Sequence, residues 1–425
     1  MRKLHQKNTV RYYLILIALL SFLFFSSDFG LIDVQKTAIV MAVGIDREEE
    51  TFIVTSQIAV PQSSKQGSVT ETVQIVSRGK TVADAFEEIN AKTGWYPKLV
   101  FCRLIIVGEK TTQQDVFDAL DFFLLDEYMS DNCLIATCDG FAKDLLNVAA
   151  LVDSSGSLAM QKVLSSHAER VGSVLPSTLR EFAIGYFSDS SCGFLPILKT
   201  QPQQEQVGDS GSGGGSNGSG DSSQNSGSSN AGSSQGGNSS GSGAGGSSSS
   251  GEQKNDKPVF SAGETALFVK GKRVGKMTEE ETFAFGAVKH ELRLAAYSVD
   301  VGDSTCTLTV KRNTPKTKFD VAKDGRATFK IELIMSAGLL DYSKALPLDE
   351  ARDVGDVPNG VFPAAEKLLT AQIHTVFEKC RACGCDLFGL KEQLQKYKYR
   401  RYDELKDEVL HNAIVDVSVR FQSVR

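Results

Sequence analysis

Positive charge is not in excess in this chain: its 425 residues carry 46 Lys and Arg against 52 Asp and Glu, a formal net charge of −6. That balance excludes a nucleic-acid partner, which would need a positive surface facing the phosphates. Histidine is scarce and scattered, at His5, His167, His290, His374 and His411. His290-Glu291 runs on into Leu292-Arg293-Leu294, so the second histidine of a zinc-binding HExxH helix is missing. No Gly-x-Ser-x-Gly elbow and no Walker loop occurs outside a Gly/Ser tract whose glycine patterns match by composition alone. No repeat recurs at a fixed period, which excludes solenoids, collagen and coiled coils. With no catalytic constellation in view, no enzyme activity and no cofactor are expected.

Cysteine is absent before Cys102, and the eight present (102, 133, 138, 192, 306, 380, 383 and 385) form one dense group, Cys380, Cys383 and Cys385. Three thiolates could begin a zinc or iron–sulfur site with His374 as a fourth ligand. Zinc frameworks show two separated cysteine pairs, however, and no second pair exists here. Cys380 also continues an apolar helical stripe, so buried thiols or a local disulfide are the expectation, and no metal site is assigned.

The N-terminus is what places the chain in a compartment. Arg2, Lys3, Lys7 and Arg11 precede an uncharged run from Tyr12 to Ser27. As a helix, those residues would reach about 24 Å, slightly short of a hydrocarbon core of about 30 Å. A cleaved signal peptide is one reading, but Phe25 stands where cleavage before Asp28 wants a small side chain. The adopted reading is a retained signal anchor over residues 12–32, with residues 1–11 as a basic cytoplasmic tail and the rest outside the cytoplasm. Removing the four basic residues leaves 42 basic against 52 acidic, a −10 ectodomain, which should be soluble and should not cling to anionic lipid.

Between Gly208 and Gly251, 34 of 44 residues are Gly or Ser. The tract, 201–257, cannot bury enough apolar surface to offset ordering entropy and is expected to be a disordered insertion. It could link free domains or form a long loop whose ends lie together. It separates an N-terminal region, 33–200, from a C-terminal region, 258–425.

In the first region, Thr37 to Asp46 and Thr51 to Val60 read as a hairpin and Thr72 to Ser77 as a third strand. Helices are expected over Lys80 to Ala91, Gln113 to Leu125, a short stretch from Ala142, Leu158 to Glu169 and Ser177 to Tyr186. Strands are expected over Leu99 to Val107, Cys133 to Cys138 and Cys192 to Lys199. In the second region, Ala266 to Val269 and Arg273 to Lys276 read as a strand and a turn, and Thr278 with Glu281 forms a capping box. Cys306 to Lys311, Thr317 to Ala322 and Arg326 to Met335 read as three strands, with a turn at Asp324-Gly325. Pro363 opens a helix whose stripe is Leu369, Ile373, Val376, Phe377 and Cys380. Val415, Val417, Val419 and Phe421 share one face of a last strand. The fold class is α+β, with mixed or antiparallel sheets covered by helices. Lys396-Tyr397-Lys398-Tyr399-Arg400-Arg401-Tyr402 interleaves cations and rings; a solvated connection with the tyrosines packed underneath is preferred over a lipid or acidic-partner contact.

Several of these stretches resemble the Ger(x)C, or GerAC-type, family of spore germination proteins: Ala38 to Asp46, Val54 to Pro61, Ser77 to Thr81 with Ala85, Leu104 to Glu109 and Ala119 to Leu124. Gly263 to Lys270, Val274-Gly275, Glu279 to Thr282 and Cys385-Asp386-Leu387-Phe388-Gly389 continue the resemblance in order. It implies a non-catalytic, membrane-attached C subunit of the nutrient germinant receptor, facing outward from the inner spore membrane. Its implied partners are a polytopic A-type subunit and a permease-like B-type subunit, with the small-molecule germinant reached only indirectly. An extracytoplasmic sensor that itself holds the germinant is the alternative. The chain departs from the family in two places. The family's lipidated cysteine would fall near Asp28, where none exists, so no lipidation site is assigned and the anchor takes that role. Leu125-Asp126 also stands where the family often has Arg-Asp. The sequence singles out no contact residue.

Overall fold

The computed structural model describes residues 12–21, 37–60, 71–148, 155–165, 171–172, 174–202, 258–289, 292–343 and 357–424. The chain divides into two units, one made of Met1–Gln201 with Val259–Arg425 and the other of Pro202–Pro258. The Gly/Ser tract from 203 to 257 lies outside the described residues. Within the expected anchor, residues 12–21 are helical and the remainder lies outside the described residues. Among the described residues, no helix is long and apolar enough to cross a membrane.

The first sheet contains β1 (Thr37–Glu48), β2 (Thr51–Val60), β3 (Glu71–Gly79), β5 (Leu104–Val107), β6 (Leu134–Cys138), β8 (Cys192–Gln201), β9 (Val259–Val269) and β10 (Lys272–Met277). Their order is β10-β9-β8-β6-β5-β1-β2-β3, with the short β4 (Tyr96–Lys98) beside β1 and β7 (Ser177–Thr178) beside β6. The β1–β2 hairpin forms as its alternation predicts, and β1, β5, β6 and β8 run parallel at the centre. All four residues of β5 are fully buried, because helices cover both faces of a parallel strand. In β1, a bulge between Val40 and Ala42 resets the alternation. Val40, Val43 and Ile45 therefore pack on one face and Ala42 on the other.

The second sheet, β11-β12-β13-β14, holds β11 (Ala295–Val301), β12 (Ser304–Val321), β13 (Ala327–Tyr342) and β14 (Ile414–Ser423). Ala327, Phe329, Ile331, Leu333, Met335 and Ala337 line its inner face against the helix Val361–Cys383. That helix and the shorter ones after it precede β14, which pairs parallel to β13. The fold is thus α+β, with one mixed sheet and one largely antiparallel sheet, each covered by helices.

β8 and β9 pair antiparallel from Cys192↔Val269 to Gln201↔Val259. The strands on either side of the Gly/Ser tract are therefore neighbours in one sheet, within one folded unit.

Several boundaries differ from the sequence expectation. The strand expected from Leu99 starts at Leu104, since residues 99–103 turn back with Cys102 N donating to Leu99 O at 2.8 Å. The helix expected over Gln113 to Leu125 is replaced by two, Glu109–Thr112 and Phe117–Leu125. The first ends at Thr112, and Asp115 delays the start of the second by accepting from Phe117 N at 3.0 Å, the local competition typical of Asp. Ser177 and Thr178 are extended, and the helix there is Leu179–Phe187, closed by a Thr178–Glu181 capping box. The two strands expected around Asn313 are the single β12, and β11 was not anticipated. Pro315 is tolerated because β11 stops opposite Val310, leaving that half of β12 with one neighbour.

Candidate functional site

Two buried aspartates, both in stretches that the sequence singled out, organise the folded unit. Asp46 closes Gly44-Ile45-Asp46 at the end of β1 and is 2% exposed. The helix Ala142–Leu146 starts at Phe141, which has no capping side chain. Asp46 supplies the cap from 96 residues away: Ala142 N and Lys143 N donate to Oδ1 and Oδ2 at 2.8 and 3.1 Å. These are two of the free N–H groups that any helix start exposes. Burial raises the Asp46 pKa, and the two backbone hydrogen bonds oppose that rise without cancelling it. Gly108 packs on this carboxylate so closely that a Cβ there would collide with Asp46 Oδ1. The Gly44–Asp46 and Leu104–Glu109 motifs are therefore two sides of one contact.

Asp386 repeats the device in the C-terminal region. It is 4% exposed, and Leu390 N and Lys391 N donate to its oxygens at 2.9 and 2.8 Å. The helix Leu390–Lys398 that it caps begins at Gly389, which sits at φ +70° and has no side chain to offer. Ser190, just before β8, donates to Asp386 Oδ2 at 3.3 Å and to Glu392 Oε1 at 2.6 Å. Burial is again the main cause of the raised Asp386 pKa. Phe388 of the same turn meets Phe285, Phe329 and Phe377 at centroid distances of 5.4, 5.9 and 5.4 Å.

The structure separates the three dense cysteines. Cys380 is buried on the long helix, where loss of solvent pushes its thiol up to about 12. Cys383 is partly exposed beside Val274 O, at 3.7 Å. Beyond the left-handed Gly384, Cys385 turns inward, its Sγ 3.4 Å from Phe268 O. There it hydrogen-bonds with Cys192, which holds the Cys385 thiol well above its ordinary value. His374 lies part-buried further up the helix. Among the described residues, no group of three or more His, Cys, Asp and Glu side chains is arranged to hold a metal ion. Cys192 and Ser190 carry no sequence signal for this arrangement, because their partners lie almost 200 residues downstream.

A cleft of about 490 Å³ opens beside this junction, between the helix Leu179–Phe187 and the turn at Asp386–Gln393. Phe182, Ile184, Phe194, Leu387 and Phe388 make it apolar, with Glu181, Lys289 and Gln393 among its polar lining. It can receive an apolar side chain or a small amphipathic molecule. Ser190 and Cys192 also line it: the Ser190 hydroxyl bonds two carboxylates that hold the helix start, and the hydrogen bond with Cys385 lowers the Cys192 pKa.

The basic and aromatic stretch 396–402 is not built as expected. Tyr397 and Tyr399 are 60% and 76% exposed, and only Tyr402 is partly buried. Tyr397 lies on the outer face of the helix Leu390–Lys398, and Tyr399 opens a 3-10 helix, Tyr399–Arg401. Two of the stretch's four cations are tied down instead: Lys398 pairs with Asp320 at 3.0 Å, and Arg401 donates to Ala322 O at 2.9 Å.

Two family models match the chain. Residues 31–200 match the spore germination protein N-terminal domain, and residues 263–425 match the spore germination B3/GerAC-like C-terminal domain. A solved structure, the crystal structure of the GerBC protein, aligns over 90% of this chain and 97% of its own, at 13% identity and a TM-score of 0.49. No curated protein matches.

Proposed function

The chain belongs to the GerAC-type family of spore germination proteins, the C subunits of germinant receptors, and from that premise we propose that it works by assembly rather than by chemistry. In this reading it docks on a polytopic A subunit and a permease-like B subunit and lets their occupation by a nutrient be coupled to germination. Residues 12–32 anchor it in the inner spore membrane, with residues 1–11 in the cytoplasm and the folded unit outside. One observation carries the reading. The buried carboxylates Asp46 and Asp386 are both consumed in capping helices, while Ile184 and Phe187, beside the junction cleft, stand 61% and 72% exposed. A surface of this kind suits protein contact.

The test is affinity purification of the tagged full chain from detergent-solubilised spore membranes, with mass spectrometry of the material that comes along. Recovery of one permease-like and one larger polytopic subunit is expected. Recovery of the chain alone, under conditions that keep other membrane complexes intact, would overturn the assembly mechanism.

The junction cleft favours a second reading, in which the chain holds the germinant itself. Saturable binding of a labelled nutrient to the purified chain, without other subunits, would support that sensor role over pure assembly.

A further inference from the structure

We propose that the end of the first sheet at which β1 begins is a lipid-contacting surface, with Trp95, Tyr96, Val100, Phe101, Leu125 and Tyr128 seated at the headgroup level of the bilayer. The inference rests on the anchor reading and adds to it a second membrane contact, made by the folded unit itself.

Topology brings the six residues together. β3 runs parallel to β1, since both are antiparallel to β2, so its last residue, Gly79, lies at the far end of the sheet. The helix Val82–Thr93 returns the chain to the near end, where β4 starts with Tyr96 opposite Thr37, the first residue of β1. Val100 and Phe101 lie in the turn before β5, and Leu125 and Tyr128 lie between the helix Phe117–Leu125 and β6. β5 and β6 both start at this end, because both run parallel to β1. Arg103 N bonds Met41 O at 3.2 Å and Leu134 N bonds Arg103 O at 3.0 Å, which joins these starts. The Lys98 ammonium sits 4.8 Å from the Tyr128 ring centroid and links β4 to the loop before β6.

All six side chains are 44–74% exposed, whereas the apolar residues between them, Leu99, Cys102 and Phe123, are buried. The patch is thus excess apolar surface that the core does not use. Its make-up, one indole and two phenols among aliphatic and phenyl groups, is that of side chains enriched at a membrane–water interface.

The chain's own length supplies the occupant. Nine residues, Asp28 to Lys36, separate the end of the apolar N-terminal run from Thr37. Fully extended they span at most about 32 Å. An anchored chain therefore keeps this end of the sheet within about 32 Å of the bilayer. The other end of β1 carries the exposed turn Glu48-Glu49-Glu50, where Arg47 and Arg78 pair with Glu50 and Glu48, respectively, and Glu49 adds an acidic charge that anionic headgroups would not attract. Charge at the proposed end is balanced, with Lys92, Lys98, Arg103 and Arg180 against Glu88, Asp126, Glu127 and Asp131. The apolar side chains therefore drive the contact there.

Trp95 is the single tryptophan of the chain, so it reports on this surface alone. The full chain is reconstituted into vesicles of phosphatidylcholine and phosphatidylglycerol, with and without bromine on the upper part of the acyl chains. Expected are co-flotation with the vesicles, loss of Trp95 emission in the brominated ones, and weak quenching by aqueous iodide. Replacing Val100→Glu with Phe101→Glu, both exposed, should reduce bromolipid quenching while co-flotation persists. Co-flotation with Trp95 open to iodide and insensitive to bromine would overturn the lipid contact and leave the anchor standing. Shielding from iodide without bromine quenching would assign the cover to protein and equally overturn it. Failure to co-float would defeat the anchor reading, and this inference with it.

Discussion

Asp386 and Cys192, 194 residues apart, are hydrogen-bonded: the backbone N–H of Asp386 donates to Cys192 Sγ at 3.2 Å. The bond joins the start of β8, before the Gly/Ser tract, to the turn after the long helix of the C-terminal region. With Ser190 on Asp386 and Glu392, and Cys385 on Cys192, it makes the two family-matched regions parts of one packed unit rather than neighbours on a tether.

Asp386→Ala should destabilise the protein strongly, because it strands the buried helix-start N–H groups of Leu390 and Lys391, while Ser190 keeps its bond to Glu392. A loss of about 2–4 kcal/mol is expected from the unsatisfied donors, read as a lower urea midpoint. Asp386→Asn keeps one acceptor oxygen and should lose less than half as much. Equal losses for the two variants would show that the carboxylate's hydrogen bonds are not what matters.

Gly108→Ala should cost about 1–3 kcal/mol, the range for overpacking a tight core. Its new methyl can be admitted only by moving Asp46 off the backbone of Ala142 and Lys143. The Asp46→Ala background should absorb most of that loss, and a double-mutant cycle measures the coupling. Additive effects would argue against the contact.

Asp46 and Glu264 should act on stability in opposite directions as pH changes. Burial holds Asp46 above its ordinary value, so the folded protein keeps a proton that the unfolded chain loses. From about 3.9 up to the higher folded value, stability from this group therefore falls as pH rises. Asp46→Asn should accordingly gain on the natural protein as pH rises through that window. For Glu264, burial pushes the pKa up, but hydrogen bonds from Lys199 and Lys276 outweigh it and leave it lowered. Its contribution is present above about 4.3 and lost as pH falls through the lower folded value. Glu264→Gln should cost about 0.5–1 kcal/mol at neutral pH, a deficit that disappears on acidification. Denaturant titrations across pH check both signs.

Thiol reactivity should be dominated by one residue. Cys383 is partly exposed, while the other seven cysteines are buried. A maleimide should label the native chain quickly at one position, Cys383→Ser should abolish that fast phase, and denaturant should release all eight thiols. A second fast-labelling site in the native chain would contradict the burial of the other thiols.

The sequence made legible what is encoded over a few residues. The β1–β2 hairpin, the Thr278–Glu281 capping box and the stripe from Leu369 to Cys380 all recur in the structure, since alternation, cap spacing and helical period are local signals. The continuity of β12 was hidden by Pro315, which normally argues against a strand and is harmless only because β11 is short. The exposure of Tyr397 and Tyr399 was hidden as well, because alternating cations and rings do not say which side of the run the core covers.

By itself, then, the sequence determined the α+β class and the family-like motifs, because these rest on pattern and composition. Only the tertiary structure decided what the motifs are for. Asp46 and Asp386 look alike in sequence to any acidic residue in a turn. Asp46 becomes a helix cap only because folding places an uncapped helix start against it from 96 residues away, whereas Asp386 caps the helix that starts four residues on and owes its burial to the Ser190 side of the fold. The pairing of β8 with β9 and the meeting of Cys192 with Cys385 are likewise long-range contacts. Their geometry is set by how two sheets and their helices pack, and no spacing along the chain encodes it.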